Sequence, residues 1–130
     1  MEIKTHREID QTLSGVPTAV ETDRFASVIL EITDQMRADE KGLVHGGFIF
    51  SAGDYCAMLA VNHQNVVLAK AEVKFLKPVR VGEHLFFEGI VTEKEGNRRT
   101  VEVSAKNEMN ETVFTGKYYC VIPEKHVLER

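Results

Sequence analysis

The chain of 130 residues is 43% hydrophobic and 28% charged, which suits one soluble domain able to bury a single core. A net charge of −4 argues against nonspecific binding to nucleic acid. Cys56 and Cys120 are too few for a disulfide framework or a zinc site, which fits a reducing compartment.

Met1 leads into Glu2, Lys4, His6, Arg7 and Glu8, the opposite of a secretory leader. Thr5 to Leu13 is polar and predicts a short N-terminal helix within about residues 4–14, ended by Ser14-Gly15 and blocked by Pro17. VETDRFASVILEI, from Val20 to Ile32, is rich in β-branched residues and reads as a strand. Asp39-Glu40-Lys41-Gly42 is a polar turn, and Gly46-Gly47 opens an apolar run to Val61 of helical length. That run is too short for a bilayer, which takes about 20 residues, so a cytoplasmic protein with no membrane partner is expected.

Asn62 to Asn65 closes the helix. VVLAKAEVKFL then alternates, with Ala69, Ala71, Val73 and Phe75 on one face and Lys70, Glu72 and Lys74 on the other, until Pro78 stops it. Val81-Gly82 turns into HLFFEGIVTEKE, Gly96-Asn97 into RRTVEVSAKNE, and Asn107 to Glu111 into TVFTGKYYCVI. The polar tail from Pro123 to Arg130 is expected to be loosely held. One strand, one apolar helix and four tightly connected strands predict a single α+β domain over 1–130, an antiparallel sheet wrapped around one long central helix.

Within HGGFIFSAGDYCAMLAVN, Asp54 is the one acid. Its helical neighbours are Phe50, Ser51, Ala57 and Met58, of which only Ser51 is polar. Two readings are open: Asp54 meets water at a gap in the sheet or caps a loop, or a desolvated carboxylate serves as base or nucleophile. His45-Gly46-Gly47 has two readings as well. Small residues suit a tight turn, and glycine amides at the positive end of a helix suit a carbonyl oxygen gaining charge. His45 and Asp54 lie roughly 13 Å apart along a helix, so any shared chemistry needs two antiparallel helices at a two-fold interface.

LVHGGFIFSAGDYCAMLAVN followed by VKFLKPVRVGEHL resembles the hotdog-fold acyl-CoA thioesterases, in particular their phenylacetyl-CoA thioesterase-like branch. The likeness runs from about Pro17 to Ile122. It implies hydrolysis of fatty or aryl acyl-CoA, with coenzyme A as part of the substrate and no cofactor, in a homodimer with shared active sites or a homotetramer of such dimers, both of which occur in the family. It implies that the amide after His45 is the oxyanion donor, Gly46-Gly47 the turn that presents it, and Asp54 the nucleophile or general base. His45 would orient the thioester or its loop. Asp39 stands where some relatives hold an asparagine that positions water, and Phe75 begins the phenylalanine-x-x-proline stretch beside the substrate. Lys94, Arg98 and Arg99 in KEGNRRT match the place where relatives hold coenzyme A; read from the residues alone, they are equally an exposed hairpin tip. Leu68 departs from the family, which often has serine or threonine there.

Ser51 is no nucleophile elbow, because Ile49 stands where a glycine is needed. His6, His45, His63, His84 and His126 lack metal-ligand spacing, and no glycine-rich phosphate loop is present. Lys74, Lys77 and Arg80 read as a solvated strand face. A non-catalytic acyl-CoA or acyl-carrier sensing module of the same fold is the alternative. Such regulators join a DNA-binding part to the hotdog domain, for which the short N-terminal stretch is expected to leave no room, and sensing does not need Asp54. A dehydratase of the same fold is a third option.

Overall fold

The computed structural model describes residues 1–129. Its first helix, α1, is shorter than expected and spans only Gln11–Ser14, with Asp10 as N-cap accepting from the Thr12 amide at 2.9 Å. Residues 4–9 are not helical; His6 takes a left-handed conformation, φ 50°, which interrupts any helix there. Gly15 ends α1 at φ 99°.

The stretch read as one strand over Val20–Ile32 is two, β1 (Val16–Glu21) and β2 (Phe25–Glu31), folded back on each other. No glycine or proline marks the turn. Asp23 enters the left-handed region at φ 60°, which aspartate tolerates better than most residues. Pro17 does not simply stop a helix but lies inside β1, where an edge position spares it a ladder bond; the register slips beside it, between Pro17 and Ala19.

A 3-10 turn, Asp34–Met36, leads to α2 (Gly46–Val61). Then follow β3 (Val67–Phe75), β4 (His84–Glu95), β5 (Arg98–Lys106) and β6 (Thr112–Val121). Every pairing is antiparallel, in the order β1-β2-β4-β5-β6-β3. The sheet curls around α2, which touches all six strands. This is the α+β architecture expected.

The core lies between α2 and the inner face of the sheet. Val28, Leu30, Leu85, Phe87, Val101, Val103, Phe114 and Tyr118 meet Tyr55, Met58 and Leu59 of the helix, all buried. Gly89 of β4 lets α2 come close, since a Cβ there would lie 3.2 Å from the Cys56 sulfur. Alternation also leaves Phe86 and Ile90 exposed on the outer face, and Phe75 and Leu76 exposed near the β3 edge.

Asn62 closes α2 in the left-handed conformation, φ 53°, and is 1% exposed. Its Oδ1 accepts the Lys4 amide at 2.8 Å, and its Nδ2 donates to the Glu2 carbonyl at 2.7 Å and to Thr22 Oγ1 at 2.9 Å. One side chain thus ties the N-terminal arm and the β1–β2 turn to the helix end. Asn62→Ala should cost about 2–4 kcal/mol in urea unfolding, since it strands buried polar groups and keeps a disfavoured φ. A loss below about 0.5 kcal/mol would show the arm to be held by other contacts.

The expected loose tail begins with an anchor: Asn65 Nδ2 donates to the carbonyls of Pro123 and Glu124 at 3.3 and 3.2 Å. Arg130 lies outside the described residues. Among the described residues, no helix is long and apolar enough to cross a membrane.

Candidate active site

The turn before α2 is held from both sides. The His45 amide donates to the Met36 carbonyl and the Val44 amide to the Val79 carbonyl, each at 2.8 Å. His45 is the N-cap residue, yet its side chain makes no capping bond. The imidazole instead folds over Gly47, where an added Cβ would lie 2.9 Å from Nε2, and meets Phe48 edge-on at 6.0 Å. The Phe48 amide turns back to the His45 carbonyl at 3.1 Å. The amides of Gly46 and Gly47 are left without an acceptor among the described residues, at the positive end of the helix dipole.

Phe75 lies against this end. Its ring edge would stand 3.2 Å from a Cβ on Gly46, and it packs on Phe114 at 5.3 Å between ring centres. With Leu43, Ile49, Leu76 and Pro78 it lines a cleft of about 300 Å³. The structure therefore brings together His45, Gly46, Gly47 and Phe75.

Asp54 sits two turns farther along α2. Gly47, Phe50, Ser51 and Asp54 form a half-open stripe, and beyond Ser51 Asp54 is the one residue of α2 that is not buried. Its carboxyl is largely desolvated, which pushes its pKa up from 3.8 to about 6. One oxygen, Oδ1, is buried and has no hydrogen-bond partner. Two inward residues of β6 feel its charge: burial first, then Asp54, raises the Tyr118 phenol and raises the Cys120 thiol to about 12. Asp54 is half-buried, with one oxygen enclosed and unpartnered, and among the described residues its carboxyl caps no loop.

The remaining predicted residues lie elsewhere. Asp39 spends its carboxylate on its own turn, accepting from the Lys41 and Leu43 amides at 3.0 and 3.1 Å. Lys94, Arg98 and Arg99 stand at the β4–β5 hairpin, by the opposite end of α2. There Asp23 joins Arg99 Nε at 2.8 Å and Lys94 at 3.4 Å, while the Asp23 and Arg24 amides take the Val61 and Ala60 carbonyls. Arg99 also donates to the Gly96 and Arg98 carbonyls at 2.8 Å, and its side chain is 15% exposed. It is a brace of the fold, whereas Arg98 projects into solvent. Sequence reasoning did not single out Tyr118, Cys120 or Gly53, which surround Asp54; the inward alternation of Gly116, Tyr118 and Cys120 was the available signal.

Residues 41–114, more than half of the chain, match the model of a protein family described as the thioesterase superfamily. The chain belongs to this superfamily. The matched stretch holds His45-Gly46-Gly47 and Asp54 and stops before Tyr118. Hotdog architecture is shared with an uncharacterized protein of Pyrococcus horikoshii, at TM-score 0.95 and 48% identity over 99% of this chain and 98% of that one. It is shared at TM-score 0.81 and 20% identity with a Streptococcus mutans protein bound to acetyl CoA, over 92% and 97% of the two chains. A methylthioribose-1-phosphate isomerase of Aquifex aeolicus is 52% identical over 93% of this chain, and the transcription factor FapR of Oceanobacillus iheyensis is 34% identical over 77%. The chain spans 26% of the former protein and 52% of the latter. Among the described residues of this superfamily member, no group of three or more His, Cys, Asp and Glu could hold a metal.

Proposed function

We propose that this thioesterase-superfamily chain hydrolyses acyl-CoA thioesters, with fatty or aryl acyl groups, in a cytoplasmic homodimer. The observation that carries the reading is Asp54, a desolvated carboxyl with an unpartnered buried oxygen, placed on the half-open stripe of a helix that begins with two free glycine amides. A carboxyl with a pKa near 6 is largely ionised at neutral pH and remains basic enough to take a proton in the reaction.

In the proposed reaction, the thioester oxygen accepts from the Gly46 and Gly47 amides, which stabilise the negative charge it gains. Water attacks the carbonyl carbon while Asp54 takes its proton, or Asp54 itself attacks and water later cleaves the anhydride. The carbon–sulfur bond breaks, and the coenzyme A thiolate takes up the proton. Two helical turns separate the amides from Asp54 in one chain, so each site uses the turn of one copy and the acid of another. The half-buried stripe of α2 and the unpaired edge of β3, with exposed Phe75 and Leu76 close by, support that pairing. A second contact across the outer face, where Val16, Phe86 and Ile90 stand exposed, would give a tetramer.

His45, folded on Gly47, holds the turn and the neighbouring loop. Phe75 bounds the acyl or pantetheine path at Gly46. Asp39 acts through the shape of its turn. For the phosphates of coenzyme A, Arg98 is the free cation and Arg99 the support. Arg98→Ala should raise KM for acyl-CoA about 5–10-fold without moving Tm, whereas Arg99→Ala should lower stability by about 1–3 kcal/mol. Equal KM for Arg98→Ala and the parent on acetyl-CoA would remove the hairpin from the binding site.

The likeness to FapR favours the second reading, an acyl-CoA-sensing module without turnover. A panel of acetyl-, octanoyl-, palmitoyl- and phenylacetyl-CoA, followed by release of free thiol, separates the two. Hydrolysis of at least one thioester supports the enzyme; binding with no thiol release across the panel supports the sensor and overturns the hydrolytic proposal.

A further inference from the structure

Tyr118 is fully buried at the inner face of β6, at a place where phenylalanine would fill nearly the same space without bringing a hydroxyl out of water. The hydroxyl has one partner, the Phe50 carbonyl, to which it donates at 3.1 Å. In α2 that same carbonyl accepts the amide of residue 54, four positions on. The phenol therefore grips the turn that carries Asp54.

Two glycines clear its path. A Cβ on Gly53 would collide with the Tyr118 hydroxyl and lie 3.0 Å from the Phe114 ring, and one on Gly116 would lie 2.9 Å from Tyr118 Cε2. Phe50 closes over the ring, 5.5 Å between centres. Gly53, Gly116 and Tyr118 form one device that brings a dipole from the sheet onto the helix beside the half-open stripe. The hydroxyl proton is committed to Phe50, and Asp54 Oδ1 is buried with no donor among the described residues.

We propose that Tyr118 is a positioning residue for Asp54: through Phe50 and the gap at Gly53 it fixes the turn of α2 and, with it, the depth at which the carboxyl sits. The proposal rests on the reading of Asp54 as the reacting acid. The titratable groups facing Asp54 from β6 are Tyr118 and Cys120, both neutral at physiological pH because burial raises them. From α1 the Ser14 hydroxyl lies 3.1 Å from that of Ser51, and Gln11–Ser14 carries no charged side chain. A change in the pH profile on altering Tyr118 therefore reports on Asp54.

The test is Tyr118→Phe, measured for kcat, KM and the pH dependence of kcat on the thioester that the parent hydrolyses best. The expected result is a 5–20-fold lower kcat, KM within twofold, and an acid limb displaced by at least half a pH unit. Tm and circular dichroism accompany the kinetics, and if Tyr118→Phe lowers Tm the assay is run at a temperature where the variant is folded. A parent-like kcat and acid limb in the folded variant overturns the proposal. Asp54→Asn is run alongside: if it cleaves at the parent rate, the reading of Asp54 fails first, whereas an inactive Asp54→Asn with a parent-like Tyr118→Phe leaves that reading standing and removes only Tyr118.

Discussion

Asp54→Asn should abolish thioester cleavage and, at neutral pH, make the protein more stable. The loss follows from the role of the carboxyl in moving or replacing a proton of water, worth about 10²–10⁴-fold in kcat. The gain follows from its burial. The folded-state pKa, about 6, lies above the ordinary 3.8, so between these values the folded chain holds more protons than the unfolded one. Stability then falls as pH rises through that window, and above it the buried charge costs about 2–3 kcal/mol. Asparagine carries no charge and is free of this cost. Urea unfolding at pH 7.5 should favour the variant by a few kcal/mol, and at pH 4 the difference should shrink toward zero. Equal stabilities at both pH values would mean that Asp54 is solvated; parent-like activity would remove it from the reaction.

The second large effect is rescue by mixing two inactive chains. Gly47→Val places a side chain where the His45 ring now lies, 2.9 Å from the would-be Cβ, and screens the amide turn. Alone, it should be as inactive as Asp54→Asn. A heterodimer of the two, isolated with different affinity tags, contains one site with an intact turn from one chain and an intact acid from the other. It should regain about half of the parent rate, because one of two sites is whole. A heterodimer as inactive as its parts would place both groups of one site in a single chain and overturn the shared arrangement.

The fold was legible where side-chain periodicity and turn residues agree. β4 was read as HLFFEGIVTEKE and is His84–Glu95, because alternation runs between Val81-Gly82 and Gly96-Asn97. The β1–β2 turn was missed because Asp23, not glycine, supplies the left-handed residue. Asp54 stood out because a lone acid in an apolar helix has nowhere to hide. Tyr118 did not, since an aromatic residue at an inward strand position looks the same whether or not its hydroxyl has a task. The place of the basic hairpin also escaped reading. The Asp23–Arg99 pair spans 76 positions, and nothing local to KEGNRRT says which end of α2 it will meet.

The two margins of the sheet differ in a way that bears on how far association can proceed. Each edge strand has one slip in register, at Pro17/Ala19 in β1 and at Leu68/Lys70 in β3, but only β1 presents a proline, which makes its outer side the poorer template for another strand. β3 carries no proline over Val67–Phe75, and beyond it no strand follows. A second copy joining there consumes the receptive margin of both molecules and leaves a blunted one at each end. Edge-to-edge growth would then end at a pair, because Pro17 stands on the margin left at each end.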